Sequence, residues 1–376
     1  MEIELKKLGE ITTGNTPSKK DEKYWNSADI CFVKPDGIAD EGITLISDSS
    51  EYISENARGK ARVVSKDAVF VTCIGSIGKV GIADYGDYAF NQQINVIEPN
   101  EKVLPRYLAY NLLYSKPRLV AIANAPVVPI INKTQFGEFI VNIEEDRTKQ
   151  AEIISVLDKL TGIIDSRKKE LESFDELIKA RFVELFGLPV SNSKEWPTES
   201  MSDVAPAVNY TGEFDDEVWL LNLDMVEAQT GKILDYLMVT VDEIGNSTCT
   251  FDESNVLYSK LRPYLNKVVI PDRCGYATSE LVPLQPVKSK LNREYLAFML
   301  RSDEFVNMIT EKVAGAKMPR VSMGDFRKFA VPVPPLDLQN QFAGFVKQVD
   351  KSKVAVQKAL NEARLLFDSL MQEYFG

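Results

Sequence analysis

Gly75-Ser76-Ile77-Gly78-Lys79 comes nearer than any other stretch of this chain to a phosphate cradle, since a nucleotide-binding loop wraps glycine-rich backbone N–H groups round phosphates and adds a lysine. The glycine spacing is two residues short, and Val80 stands where a magnesium-holding Ser or Thr would be, so the expectation is a turn ahead of a strand. Pro35-Asp36 and Pro271-Asp272 could open a metal-dependent nuclease site, but no Asp/Glu-x-Lys follows either. Neither Asn-Pro-Pro-Phe/Tyr nor Asp-Pro-Pro-Tyr occurs, so the elements of amino-methyl transfer are missing. The paired carboxylates Glu144-Glu145 and Asp215-Asp216 lie in polar connectors and read as solvated surface. Histidine is absent altogether, which removes the commonest general base and the commonest zinc ligand. Cys31, Cys73, Cys249 and Cys274 are scattered without a close pair and read as plain thiols. No catalytic residue and no metal ligand is expected.

The elements that must position any other site are set by a repeat. With an offset near 188 residues, Lys79 falls on Lys267, Ala89 on Ala277, and Tyr107-Leu108-Ala109 on Tyr295-Leu296-Ala297. Pro129, Phe136 and Phe139 fall on Pro319, Phe326 and Phe329, and Phe186-Gly187 on Phe375-Gly376. That period is too long for a solenoid, so it means two copies of one domain-plus-connector unit, with pseudo-two-fold symmetry suited to a two-part target. Residues 68–72 and 79–83 are short, β-branched and punctuated by glycines, and predict strands; 255–259 and 267–270 occupy the same places in the second half. Residues 105–114 and 292–300 have apolar residues at three and four and predict short helices.

Each domain runs into a long heptad pattern. Phe342, Val346, Val349, Lys353, Val356, Leu360, Ala363, Phe367, Leu370 and Tyr374 step by four and three without a break. The first half repeats the register 189 residues earlier, at Ile153, Leu157, Leu160, Ile164, Arg167, Leu171, Phe174, Ile178, Arg181 and Leu185. Charged residues fill the other faces, as in a coiled coil. A helix of some 40 residues is about 60 Å long at 1.5 Å per residue and cannot bury its stripe on a small domain, so the two stripes are expected to pair antiparallel as a spacer. The alternative is two ordinary helices in two separate cores.

The chain has 376 residues, enough for two cores, with no run of eighteen apolar residues and no apolar leader, which predicts a cytoplasmic protein without a membrane span. Its net charge of −11 is shared, 24 basic against 29 acidic residues in 1–188 and 20 against 26 in 189–376. Neither half is a dedicated basic module of the kind that binds nucleic acid on its own.

Two mixed domains, each followed by a heptad helix, with Pro332-x-Pro334-Pro335-Leu336-x-x-Gln339-x-x-Phe342 before the second, closely resemble the specificity subunit of type I restriction-modification enzymes. Thr13-Gly14-Asn15-Thr16-Pro17, Tyr24-Trp25, Gly75-Ser76-Ile77-Gly78-Lys79-Val80 and Lys260-Leu261-Arg262-Pro263-Tyr264-Leu265-Asn266-Lys267 support the likeness, which covers the whole chain. One departure is Asn142-Ile143-Glu144-Glu145-Asp146, where the second half has its prolines; it predicts a looser joint at the first helix. The resemblance implies an α+β fold with two similar target recognition domains, at 1–143 and 188–333, joined by antiparallel coiled-coil helices at 144–187 and 334–376. It implies a non-catalytic subunit, each half of which reads one part of a split double-stranded DNA site. It further implies that two methylation subunits dock on the helices. Restriction and translocase subunits, S-adenosylmethionine, ATP and magnesium would belong to those partners, and this chain would hold no cofactor. The competing functions are a solitary methyltransferase or nuclease, against which the missing motifs and the missing histidine weigh, and a pure scaffold whose end domains bind proteins rather than DNA.

Reading bases calls for Arg or Lys against guanine and Asn or Gln against adenine, with other cations on phosphate. The candidates in the first domain are Arg58, Lys60, Arg62, Lys79, Asn91, Gln92, Gln93 and Asn132-Lys133. In the second they are Lys260, Arg262, Tyr264, Lys267, Lys317 and Arg320. Lys79 and Lys267 stand out by occupying equivalent places, a pattern that fits phosphate holding better than base reading. Thr211-Gly212-Glu213-Phe214 has no counterpart in the first half, so the two half-sites are expected to differ.

Overall fold

A computed structural model describes residues 1–123, 128–313 and 317–376. The chain divides into two compact units, one of Met1–Lys168 with Lys358–Gly376, the other of Lys169–Gln357. Both long helices, Arg147–Phe186 and Leu336–Phe375, of 40 residues each, contribute a part to each unit.

In the first unit, β-branched runs that alternate with tight turns build a five-stranded sheet in the order Gly9–Thr13, Ile94–Pro99, Val69–Thr72, Val80–Ala83, Ile43–Ile46. A four-stranded sheet, ordered Tyr52–Ile53, Ile30–Val33, Asp87–Phe90, Val63–Ser65, stands beside it. The second unit has a four-stranded sheet, ordered Leu237–Thr240, Glu217–Leu221, Gly275–Thr278, Thr248–Phe251, and a three-stranded one, Val268–Val269, Val256–Ser259, Leu281–Leu284. The repeat is visible in the pairings. Phe32 lies opposite Ala89 in a parallel pair, and Leu221 opposite Ala277 in another; both alanines are fully buried. The expected short helices are Pro105–Tyr114, with proline in its first turn, and Arg293–Arg301, whose Asn292 side chain accepts from the Glu294 N–H.

Tyr107, Leu108 and Ala109 are fully buried in the first unit, as are Tyr295, Leu296 and Ala297 in the second. Onto each of these helices packs the end of a long helix. Phe375 lies 5.1 Å from the Tyr107 ring, and Phe186 lies 4.8 Å from that of Tyr295. The first unit's core therefore joins Ile153 and Leu157 with Phe367, Leu370, Met371 and Tyr374, while the second unit's joins Phe174, Ile178 and Leu185 with Phe342, Val346 and Val349. The start of one helix shares a core with the end of the other in both units, an antiparallel relation, and the coiled-coil expectation holds.

The buried line departs from the strict heptad at the helix ends. Phe182, Phe186, Met371 and Phe375 are buried, each one residue beyond Arg181, Leu185, Leu370 and Tyr374. An undistorted α-helix drifts about 20° per heptad from a 3.5-residue repeat, and at its ends the surface to be covered is a domain core rather than a second helix. Polar seam positions are partnered: Lys353 pairs with Asp175, and Arg181 with Glu184 at 2.7 Å. Leu160, Ile164, Val356 and Leu360 are buried, while Leu171 and Ala363 are half-buried.

The looser joint expected at the first helix is not found. Gln150 is fully buried; its Oε1 accepts from Leu104 N at 2.8 Å and its Nε2 donates to the carbonyls of Lys102 and Glu144. Gln339 does the same, accepting from Asn292 N at 2.8 Å and donating to Lys290 and Pro334. The glutamine in the first helical turns saturates three backbone groups, so the prolines are dispensable to the fastening.

Candidate nucleic-acid interface

The first unit presents its candidates on the strap Glu55–Lys60 and on the turn that follows Asp87–Phe90. Arg58 is held by Glu55 and by Asp87, with Nη2 2.7 Å from Oδ2, and these carboxylates keep its guanidinium above the ordinary arginine range. It fastens the strap to the neighbouring strand. Lys60 and Arg62 are exposed and form no ion pair among the described residues. Asn91 is buried: its Oδ1 accepts from Gln93 N at 3.1 Å and its Nδ2 donates to Gln93 Oε1 at 2.8 Å, which closes the turn. Gln92 alone of the three amides is exposed. The Lys79 side chain is only 13% exposed and its ammonium sits 3.0 Å from Asp40. Lys133 opens the helix Lys133–Glu138, exposed, behind an Asn132–Gln135 capping box.

In the second unit, the strand Val256–Ser259 runs into the loop Lys260–Lys267. Arg262 and Asn266 both take the left-handed conformation, at φ +49°. Pro263 follows Arg262 and is buried. The Arg262 N–H donates to Pro319 O and the Val321 N–H to Lys260 O, each at 2.8 Å, so this loop is stitched to the segment bearing Lys317 and Arg320. Arg320 is occupied by Glu280. Arg262, Tyr264 and Lys317 are exposed, and the two cations carry no ion pair among the described residues. Lys260 is half-buried. Lys267 donates its ammonium to Leu223 O at 2.6 Å, and burial lowers its pKa against the pull of Asp224. Asn266 donates to the carbonyl of Arg301, and the Arg301 guanidinium in turn holds Val268 O. Burial pushes Arg301 down to about 10, with Asp350 and Asp175 opposing.

The two lysines that stood out by equivalence thus have partners within the chain, the exposed Asp40 carboxylate for Lys79 and the Leu223 carbonyl for Lys267. Arg58 and Arg320 are exposed but held in ion pairs; the exposed candidates outside any ion pair among the described residues are Lys60, Arg62, Gln92 and Lys133 on one unit and Arg262, Tyr264 and Lys317 on the other. Cys73 and Cys249 have thiols pushed up by burial to about 12 and about 11, the opposite of nucleophile activation. Among the described residues no group of three or more Cys, Asp or Glu could hold a metal ion. Nor is any helix of those residues long and apolar enough to cross a membrane. Sequence reading missed Asn15 and Thr16 as contacts of the exposed set: the Asn15 amide bridges Lys60 O and Arg62 N at 2.7 Å each, and the Thr16 hydroxyl donates to Gln92 Oε1 at 3.0 Å. Their signal was Thr13-Gly14-Asn15-Thr16-Pro17, noted as a family mark without a role.

The model of the type I restriction modification DNA specificity domain matches residues 1–173 and again 241–363. The chain belongs to this family. Its curated relatives include the EcoDI specificity subunit of Escherichia coli, 22% identical over 78% of this chain and 74% of that protein. The MjaIX specificity subunit of Methanocaldococcus jannaschii is 22% identical over 98% of this chain and 90% of its own. Among solved structures, the S subunit of a type I restriction-modification system from M. genitalium matches with a TM-score of 0.59 at 14% identity, covering 100% of this chain and 96% of that one. A chain from a structure of type I complex assembly and conformational transition matches with a TM-score of 0.61, also at 14% identity, covering 100% and 97%. Both share the fold. The protein is therefore a DNA-specificity subunit of the type I restriction-modification class and not itself the enzyme; the protein-only scaffold is not favoured.

Proposed function

We propose that each unit reads one half of a two-part double-stranded DNA site, the first through Lys60, Arg62, Gln92 and Lys133 and the second through Arg262, Tyr264 and Lys317. The recurrence of the specificity-domain match in both halves of the chain carries this reading. The recognition domains are taken as 1–143 and 188–333, and the helical segments 144–187 and 334–376 as spacer and as the docking surface for two methylation subunits. Methyl transfer from S-adenosylmethionine, and magnesium- and ATP-dependent translocation and cleavage, fall to those partners and to the restriction subunits. The assembly works in the cytoplasm. A net charge of −11 is compatible with this role when the partners enclose the DNA and supply much of the phosphate contact.

The test is to reassemble the chain with its methylation subunits and sequence the modified bases. Two short defined runs separated by a fixed undefined spacer are expected, and no modification by the chain alone. Modification at one continuous run, or turnover without partners, would overturn the reading. Deleting two heptads from both helices is expected to change the spacer and leave each run intact; altered runs with an unchanged spacer would remove the helices from the spacer role.

A further inference from the structure

We infer that Asn15 and Thr16 are positioning residues that assemble the reading surface of the first unit, and that Gln92, oriented by Thr16, is its adenine-reading side chain. This rests on the reading above, in which that surface meets DNA.

Two segments distant in sequence converge on Thr13-Gly14-Asn15-Thr16. Its backbone lies against the Phe90–Ile94 turn: Gly14 N donates to Ile94 O at 3.1 Å, and Asn15 N to Phe90 O at 3.0 Å. A Cβ at Gly14 would come within 2.2 Å of Asn91 O and 2.4 Å of Phe90 O, so only glycine permits this approach. Thr13 adds a hydroxyl bond to Asn95 Oδ1 at 2.6 Å. On the other side, the Asn15 side chain substitutes for a strand neighbour. It donates to Lys60 O, where the strap ends, and accepts from Arg62 N, just ahead of the strand Val63–Ser65. Thr16 then fixes Gln92. One four-residue stretch thereby sets Lys60, Arg62 and Gln92 relative to one another.

The chemistry of the fixed amide is specific. With one lone pair of Gln92 Oε1 taken by Thr16, the second lone pair and both Nε2 hydrogens remain. A side-by-side acceptor and donor matches the N6 amino group and N7 of adenine; guanine presents two acceptors there. Lys60 and Arg62 beside it suit the flanking phosphates. An amide held in place loses less rotamer freedom on binding, so orientation by Thr16 converts into discrimination.

The experiment uses the full chain in the reassembled methylation complex, with Gln92→Ala, Thr16→Val, Thr16→Ser and Asn15→Ala, and reads base preference at every position of the modified site. Gln92→Ala and Thr16→Val are expected to lower adenine preference about tenfold at one shared position of one half-site. Thr16→Ser restores it. Asn15→Ala relaxes several positions of that same half, and the other half-site keeps wild-type preference in all four variants. Unchanged preference in Gln92→Ala or Thr16→Val, or a relaxation spread over both halves, overturns the inference while a two-part wild-type site still stands. A wild-type complex without a two-part site would instead remove the reading beneath it.

Discussion

The loops 73–79 and 260–267, the second one residue longer and carrying a 3-10 turn at Pro263–Leu265, share a set of backbone hydrogen bonds and little else. Thr72 N donates to Lys79 O at 3.1 Å, and Ser259 N to Lys267 O at 3.0 Å; Gly75 N donates to Pro129 O, and Arg262 N to Pro319 O. Both loops need left-handed residues. The first meets the need with Gly75 and Gly78, at φ +77° and +79°, the second with Arg262 and Asn266. Holding a non-glycine residue there costs about 1–2 kcal/mol. The repeat has therefore preserved a ladder of backbone bonds and let the side chains on it diverge, and the second unit carries a strained arginine where the first carries no side chain. Strain kept at an exposed position points to use rather than to folding.

If the two units share a scaffold, equivalent core changes should cost the same. Phe186→Ala and Phe375→Ala each remove a buried ring from an equivalent aromatic cluster and are expected to destabilise their own unit by about 3–5 kcal/mol, read from urea unfolding of the full chain. A loss near zero for one of them would show that the two helix ends are not equivalent. Next come Gln150→Ala and Gln339→Ala, each of which leaves a part-buried N–H and two carbonyls without their partner. A loss of about 1–3 kcal/mol is expected for both, by the same measurement. A markedly smaller loss for Gln150→Ala would revive the looser first joint.

These two pairs also mark what the sequence disclosed. The heptad register was legible because apolar spacing follows directly from helix geometry, and the matching Phe-Gly ends located both helix stops. Gln150 was not legible, because its partners are carbonyls and an N–H, which any residue supplies, and its flanks, Asn142 to Asp146, share no side chains with the Pro332-Val333-Pro334-Pro335 stretch. Strand order was also out of reach: the parallel pairing of Ile30–Val33 with Asp87–Phe90 joins residues more than fifty apart. Lys79 and Lys267 stood out in the sequence for a related reason. Equivalence between halves selects residues the shared scaffold needs, and these two are tied to Asp40 and Leu223 O. Residues that tell one half-site from the other should be sought where the halves differ.

On binding, Arg262→Ala is expected to cost about 1–3 kcal/mol of discrimination at one position of the second half-site, whereas Lys317→Ala should weaken all sequences alike and reduce the salt slope by about one. Titrating the reassembled complex against DNA at several salt concentrations separates the two. Equal effects on every sequence from both variants would make Arg262 a phosphate contact.

The smallest expected change is the most diagnostic, because its two readouts move in opposite directions. Arg262→Gly gives the second loop the residue that the first loop has at Gly75. The Arg262 N–H bond to Pro319 O remains available to glycine, and the left-handed conformation no longer meets a Cβ. Unfolding of the full chain should therefore become harder, by about 1 kcal/mol, offset in part by the greater freedom of glycine in the unfolded chain. Base preference in the second half-site should fall at the same time, since the exposed guanidinium is gone. A variant that is less stable would mean that the arginine side chain holds the loop. One that is more stable and still fully selective would mean that Arg262 reads nothing, and the difference between the loops would then lie in Tyr264 and Lys317.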